Sequence, residues 1–259
     1  MDALQRMAVR FQTAEYIPPP YSHVYTLEAV PRPDGLAVRY ELTYLDREDL
    51  TEEEIYDEGF TPDDDFVWEG VLSSAWTKAL RDLLRKGGST DMKESDGEIH
   101  LTLTDAQGQV AEGTPRKRET WAYFCQELVQ AIYEVSGKER ALVVRFAKVD
   151  PEQRVQLVTV QPSFRERRVQ VRVETPPEER TFPLAWPRLK PLLRSVYAPD
   201  YEMDKSFEAT PNRPGHYLDP GEGVWYRFGS GVLNPGPDQE VLQALEQWLN
   251  ELLEKPGAS

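Results

Sequence analysis

The chain has 259 residues, with 30 Lys and Arg against 45 Asp and Glu, a formal charge of −15, 39% hydrophobic and 29% charged residues. No stretch approaches the roughly 18–20 consecutive apolar residues of a membrane-spanning helix, and the aliphatic and aromatic content excludes wholesale disorder. The single cysteine, Cys125, excludes an intramolecular disulfide framework and a Cys-cluster zinc site.

The opening MDALQRMAVRF lacks the long apolar core and small-residue cleavage site of a signal peptide. A cytoplasmic protein of bacterial style is therefore expected, with residues 1–20 as an N-terminal segment and Asp2–Val9 as a short leading helix. Strands at 22–30 and 36–45 read as a hairpin, with Asp34-Gly35 supplying the turn and Leu36, Val38, Tyr40, Leu42 and Tyr44 on one face. Residues 46–65 hold 11 acids against one base, Arg47, and read as an acidic insertion. FVWEG at 66–70 is a third strand. A helix over 71–86 has a stripe of Val71, Leu72, Ala75, Trp76, Ala79, Leu80, Leu83 and Leu84, ended by Gly87-Gly88. EIHLTLT at 98–104 alternates as a strand and returns through Ala106-Gln107-Gly108, and a helix at 117–136 runs into Gly137.

The second half reads in the same order. Strands are expected near 141–149, 154–161 and 167–175, then a helix at 188–198 with Pro191 in its first turn. A long loop at 199–223, a strand at 224–228 and a helix at 238–254 close the chain. Subtracting 120 from the apolar stripe Val241, Ala244, Leu245, Trp248, Leu249, Leu252 and Leu253 gives Trp121, Phe124, Cys125, Leu128, Val129, Ile132 and Tyr133. HVYTLEAV at 23–30 likewise matches LVVRFAKV at 142–149. Two tandem repeats follow, 21–137 and 138–257, each β-β-β-α-β-β-α with an antiparallel sheet, helices on one face and a more open second face. The fold class is α+β.

With Asp2–Val9 as a leading helix, this element order and the acidity are similar to the small dimeric chaperones of bacterial type III secretion. The resemblance implies a tandem repeat imitating a dimer in one chain.

The chemistry-bearing residues form no familiar constellation. None of His23, His100 and His216 has a second His or Cys at metal-ligand spacing. Cys125 lies in a core stripe. No Walker loop, no Gly-x-Ser-x-Gly elbow and no Gly-x-Gly-x-x-Gly opening a helix is present, so no cofactor and no metal is expected and the enzyme question leans to no. Charge is asymmetric: residues 1–137 carry 27 acids and 13 bases, a net −14, and residues 138–195 carry 13 bases and 7 acids, a net +6. Such acidity opposes nucleic-acid binding, because phosphate contacts need clustered Lys and Arg.

The candidate partner-binding residues are Glu52, Glu53, Asp63, Asp64 and Asp65 of the acidic run, and Arg168 and Arg172 of a basic strand. Tyr201, Phe207, His216 and Tyr217 of the long loop complete the set. The leading expectation is a non-enzymatic protein-binding adaptor, immunity-like or secretion-chaperone-like, that uses an acidic surface on another protein, a basic one among the candidates. The alternatives are a ligand- or metal-binding enzyme of an unfamiliar family with a site between the repeats, and an acidic mimic of nucleic acid.

Overall fold

The computed structural model describes residues 4–87, 92–93, 99–236 and 240–254. It is an α+β protein whose chain divides into two compact units, 1–139 together with 164–166, and 140–163 together with 167–259.

In the first unit the elements run β1 (Leu4–Gln12), β2 (His23–Arg32), β3 (Gly35–Tyr44), α1 (Glu52–Asp57), β4 (Phe66–Leu72) and α2 (Ser74–Gly87). They continue with β5 (Met92–Lys93), β6 (Ile99–Asp105), β7 (Val110–Pro115) and α3 (Arg118–Ser136). The sheet order is β4-β3-β2-β1-β6-β7, with the two-residue β5 added beyond β7, and every neighbouring pair is antiparallel.

The period of two along each strand sorts side chains between the faces. Met7, Val9, Leu27, Leu36, Val38, Tyr40, Leu101 and Leu103 turn to one face, where Trp76 and Leu80 of α2 and Phe124, Leu128 and Ile132 of α3 close the core. Each such side chain contributes about 1.5–3 kcal/mol by leaving water. The opposite face is open and carries ion pairs of Arg6 with Glu28 and of Arg39 with Glu41 and Glu69. His100 lies on this open face across from Arg10.

The second unit runs β8 (Val144–Val149), β9 (Val155–Ser163), β10 (Arg168–Thr175), β11 (Glu178–Leu184) and α4 (Leu189–Val196). It continues with β12 (Asp200–Tyr201), β13 (Gly215–Asp219), β14 (Tyr226–Arg227), β15 (Val232–Leu233) and α5 (Val241–Glu254). Its sheet order is β11-β10-β9-β8-β13-β14, and β12 and β15 pair separately. Strand for strand, the two sheets have the same order. Cys125 on α3 and Leu245 on α5, 120 positions apart, are both fully buried.

Several expectations are corrected. Leu4–Gln12 is a strand between β2 and β6, not a leading helix or a separate segment, because Met7, Val9 and Phe11 alternate with Arg6, Ala8 and Arg10. The likeness to the secretion chaperones thereby loses its first element. Four strands, not three, precede the first long helix of each unit. In sheet position β8 corresponds to β1, so the match of 142–149 to 23–30 is off by one strand. The helix expected at 71 begins at Ser74, since Val71 and Leu72 complete β4. Gly88, expected to end that helix, lies outside the described residues.

The second face of the second sheet is covered only in part, because Arg168, Gln170 and Arg172 of β10 stay exposed on it. Ala147, Val149 and Tyr217 point away from the helix side and form a second core with Trp225, against which Leu157 and Phe207 pack. The segment 199–223, expected as a loop, supplies Phe207 of this cover and contributes β13, paired to β8 inside the sheet, while Trp225 lies just beyond it.

Candidate functional site

The acidic residues 46–65 form an ordered lobe between β3 and β4. Its centre is Arg47, buried with 8% exposure. The Arg47 guanidinium lies 3.7 Å from the Tyr44 ring centroid and 4.9 Å from that of Phe60. It donates to the Thr61 carbonyl, to Asp64 Oδ2 at 3.1 Å and to the Pro20 carbonyl at 3.4 Å. Asp64 in turn accepts from the Thr61 amide at 2.8 Å and the Thr61 hydroxyl at 2.6 Å. Partial burial pushes the Asp64 carboxyl toward its neutral form, but the Thr61 and Arg47 hydrogen bonds outweigh it and hold its pKa below the ordinary carboxylate value. Asp65 accepts from the Tyr44 amide at 2.9 Å and ties the lobe's exit back to β3.

The lobe has its own helix, α1. Thr51 caps it by accepting from the Glu54 amide at 3.3 Å, while Glu54 accepts from the Thr51 amide at 2.8 Å, a reciprocal capping box. These bonds from the Thr51 amide and hydroxyl lower the Glu54 pKa. Ile55 anchors the helix, and Tyr21 donates to Glu58 from outside the lobe.

Around this frame lies a cavity of about 420 Å³, lined by Tyr44, Arg47, Leu50 and Ile55 on the inside and by Glu48, Glu52, Asp63 and Asp65 on the outside. Three of the five expected acidic residues, Glu52, Asp63 and Asp65, therefore converge on one depression. Glu53 is exposed on α1 away from its lining, and Asp64 faces inward as a structural carboxylate. Two participants were not anticipated. In the sequence Arg47 stands out only as the one base of the run, and Glu48 only as one of its 11 acids. The Thr51-Glu52-Glu53-Glu54 spacing was the available sign that the run folds.

The other expected residues lie elsewhere. Arg172 on β10 is paired with Glu179 at 2.9 Å and Glu174 at 3.4 Å on its own sheet, and Arg168 is exposed on the same strand. Tyr201 donates to the Val196 carbonyl and packs edge-on against Tyr226 at 4.9 Å. Phe207 exchanges two backbone hydrogen bonds with Trp225 and meets the Tyr217 ring at 5.8 Å. Tyr217 is 3% exposed, with its hydroxyl donating to the Arg213 carbonyl at 2.8 Å. His216 Nδ1 lies 3.0 Å from Glu246 Oε1 on α5. These four residues hold the second unit's loop and sheet together, and none of them lines the acidic depression.

A further knot explains the glycines of this loop. Asp219, 1% exposed, accepts from Arg145 Nε at 2.8 Å and from the Gly221 and Gly223 amides at 2.9 and 3.0 Å. Arg145 also lies 5.0 Å from the Trp225 ring centroid.

Among the described residues no group of three or more His, Cys, Asp or Glu is placed to hold a metal ion, and no helix is long and apolar enough to cross a membrane. Burial pushes the Cys125 thiol up to about 12, which leaves it protonated and a poor nucleophile near neutral pH. Comparison with protein-family models, with curated proteins and with solved structures finds no match for this chain.

Proposed function

We propose that this chain is a non-enzymatic binding protein, an adaptor of the immunity or secretion-chaperone kind, that presents the 46–65 lobe to a basic surface on another protein. One observation carries the reading: Arg47, the only base among the lobe's 11 acids, faces inward under two aromatic rings. The lobe's outward charge is therefore uncompensated, while its backbone is held by capping and by the Arg47–Asp64 pair. Preorganised charge of one sign steers a complementary partner and lowers the ordering cost of binding. The common strand order of the two units supports a tandem duplication, in which the first copy gained the lobe and the second the folded cover over its sheet.

The test is site-specific photocrosslinking in the native lysate. A crosslinker at Glu53, exposed on α1, is expected to capture a discrete basic protein. The same group at Glu178, on the edge strand of the second unit, is expected not to. Equal capture from both positions, or capture from Glu178 alone, would overturn the reading.

A further inference from the structure

A second cavity lies within the first unit, a half-open cleft between the ends of β1, β2 and β3 and helix α3, with a volume of about 410 Å³. Strand register explains its walls. Phe11 pairs with Tyr25, Tyr25 with Leu42, and His23 with Tyr44, so the alternation that builds the core places aromatic rings side by side at one end of the sheet. The rings are in contact: Phe11 and Tyr25 stack at 4.9 Å, and His23 and Tyr44 lie 5.9 Å apart. Tyr40 meets Tyr25 at 5.5 Å and Tyr133 of α3 at 6.2 Å. The helix wall adds Ala122 and Val129, whose short side chains leave room, and Gln126, exposed at the mouth.

Three properties restrict what fits. First, the volume is that of a small-molecule site with apolar walls and a few polar groups. Second, no Asp, Glu, Lys or Arg lines it, and burial holds the Tyr25, Tyr40, Tyr44 and Tyr133 hydroxyls above the ordinary phenol pKa, so the rings stay neutral π donors. Third, two of these rings already attract the protein's own cations, Arg47 at 3.7 Å from Tyr44 and Lys138 at 6.0 Å from Tyr133. Tyr44 also borders the acidic depression. The ring quadrupoles favour a cation and disfavour an anion.

We propose that this cavity binds a small organic cation, a substituted ammonium with an aromatic or branched alkyl body. The inference does not rest on partner capture by the lobe, since it concerns a different class of ligand, although Tyr44 lines both cavities.

Calorimetry and thermal shift on the full chain at low salt test it with three probes: phenyltrimethylammonium, its neutral isostere tert-butylbenzene, and benzoate. The cation is expected to bind and raise the melting temperature, with the isostere about tenfold weaker and benzoate inert. Gln126→Trp, at the exposed mouth, is expected to abolish binding while leaving the fold intact by circular dichroism. Phe11→Leu, which removes a ring of this cavity that does not border the lobe, is expected to weaken it severalfold. Equal binding of the isostere or of benzoate would overturn the proposal. So would cation binding that both variants leave unchanged, or no binding of the cation up to about 10 mM.

Discussion

The guanidinium carbon of Arg47 stands 3.7 Å from the centroid of the Tyr44 ring, and the same side chain pairs with Asp64 at 3.1 Å. Tyr44 ends β3, Asp64 lies just before β4, and Arg47 joins the two ends of the insertion. In a 20-residue run with 11 acids, this inward cation ties the two ends together beside the Thr51–Glu54 capping box and the Asp65 bond to Tyr44.

Arg47→Ala is expected to loosen the lobe, because it removes charge-assisted hydrogen bonds worth about 1.5–3 kcal/mol and the ring contacts. Hydrogen exchange should rise across 48–64 while β1, β2 and β6 stay protected. Uniform loosening of the first unit, or no change, would contradict this role.

Acid should weaken the lobe in a defined window. The folded Asp64 carboxyl has a lowered pKa, so the unfolded chain binds its proton more tightly. Its stabilisation is then full above the unfolded value of about 3.9 and is lost as pH falls through the lower folded value. Urea unfolding of wild type and Asp64→Asn should differ by a constant amount above about pH 5 and converge below about pH 4. A difference that persists undiminished to about pH 3 would remove Asp64 from the account.

In the second unit, Asp219→Ala leaves the Gly221 and Gly223 amides and Arg145 without their common acceptor. Arg145 is partly exposed and can turn to water, so the expected cost is about 1.5–3 kcal/mol, that of hydrogen bonds to a charged group. Tryptophan fluorescence should report early release of Trp225, the ring beside Arg145. A loss below about 1 kcal/mol would mean that the loop is held by its aromatic contacts alone.

Gly35 opens β3, and a Cβ there would lie 2.1 Å from the Leu72 carbonyl oxygen. Gly35→Ala must therefore push β3 and β4 apart, at a cost of about 1–3 kcal/mol. A melting temperature equal to that of wild type would show that the hairpin yields freely.

Periodicity made most of the first sheet legible. Leu36, Val38, Tyr40 and Leu42 are the buried face of β3, and the stripe from Trp121 to Ile132 is the buried face of α3. The β2–β3 hairpin closes through Pro33-Asp34, because β2 reaches Arg32 and β3 begins at Gly35. Short or interrupted elements were not legible. β13 has five residues between Pro214 and Pro220, too few to show alternation, and β11 carries Pro183, which an edge strand tolerates. The partners of Arg47 and the lining of the aromatic cavity come from segments far apart in sequence, which only strand register brings together. The Thr51–Glu54 capping box is present in the sequence, but charge is the dominant signal of the run that contains it.

The most direct test of the central claim compares wild type with the triple variant Glu48→Gln, Glu52→Gln, Asp63→Asn, which neutralises the outer rim and keeps Asp64 and Asp65 in their structural roles. Each protein is used as bait in the native lysate, washed at low and then high salt, with bound proteins identified by mass spectrometry. The account predicts one dominant basic partner, held by wild type at low salt, released at high salt and absent from the variant. A partner held equally by both baits, or no partner on either at low salt, would contradict it.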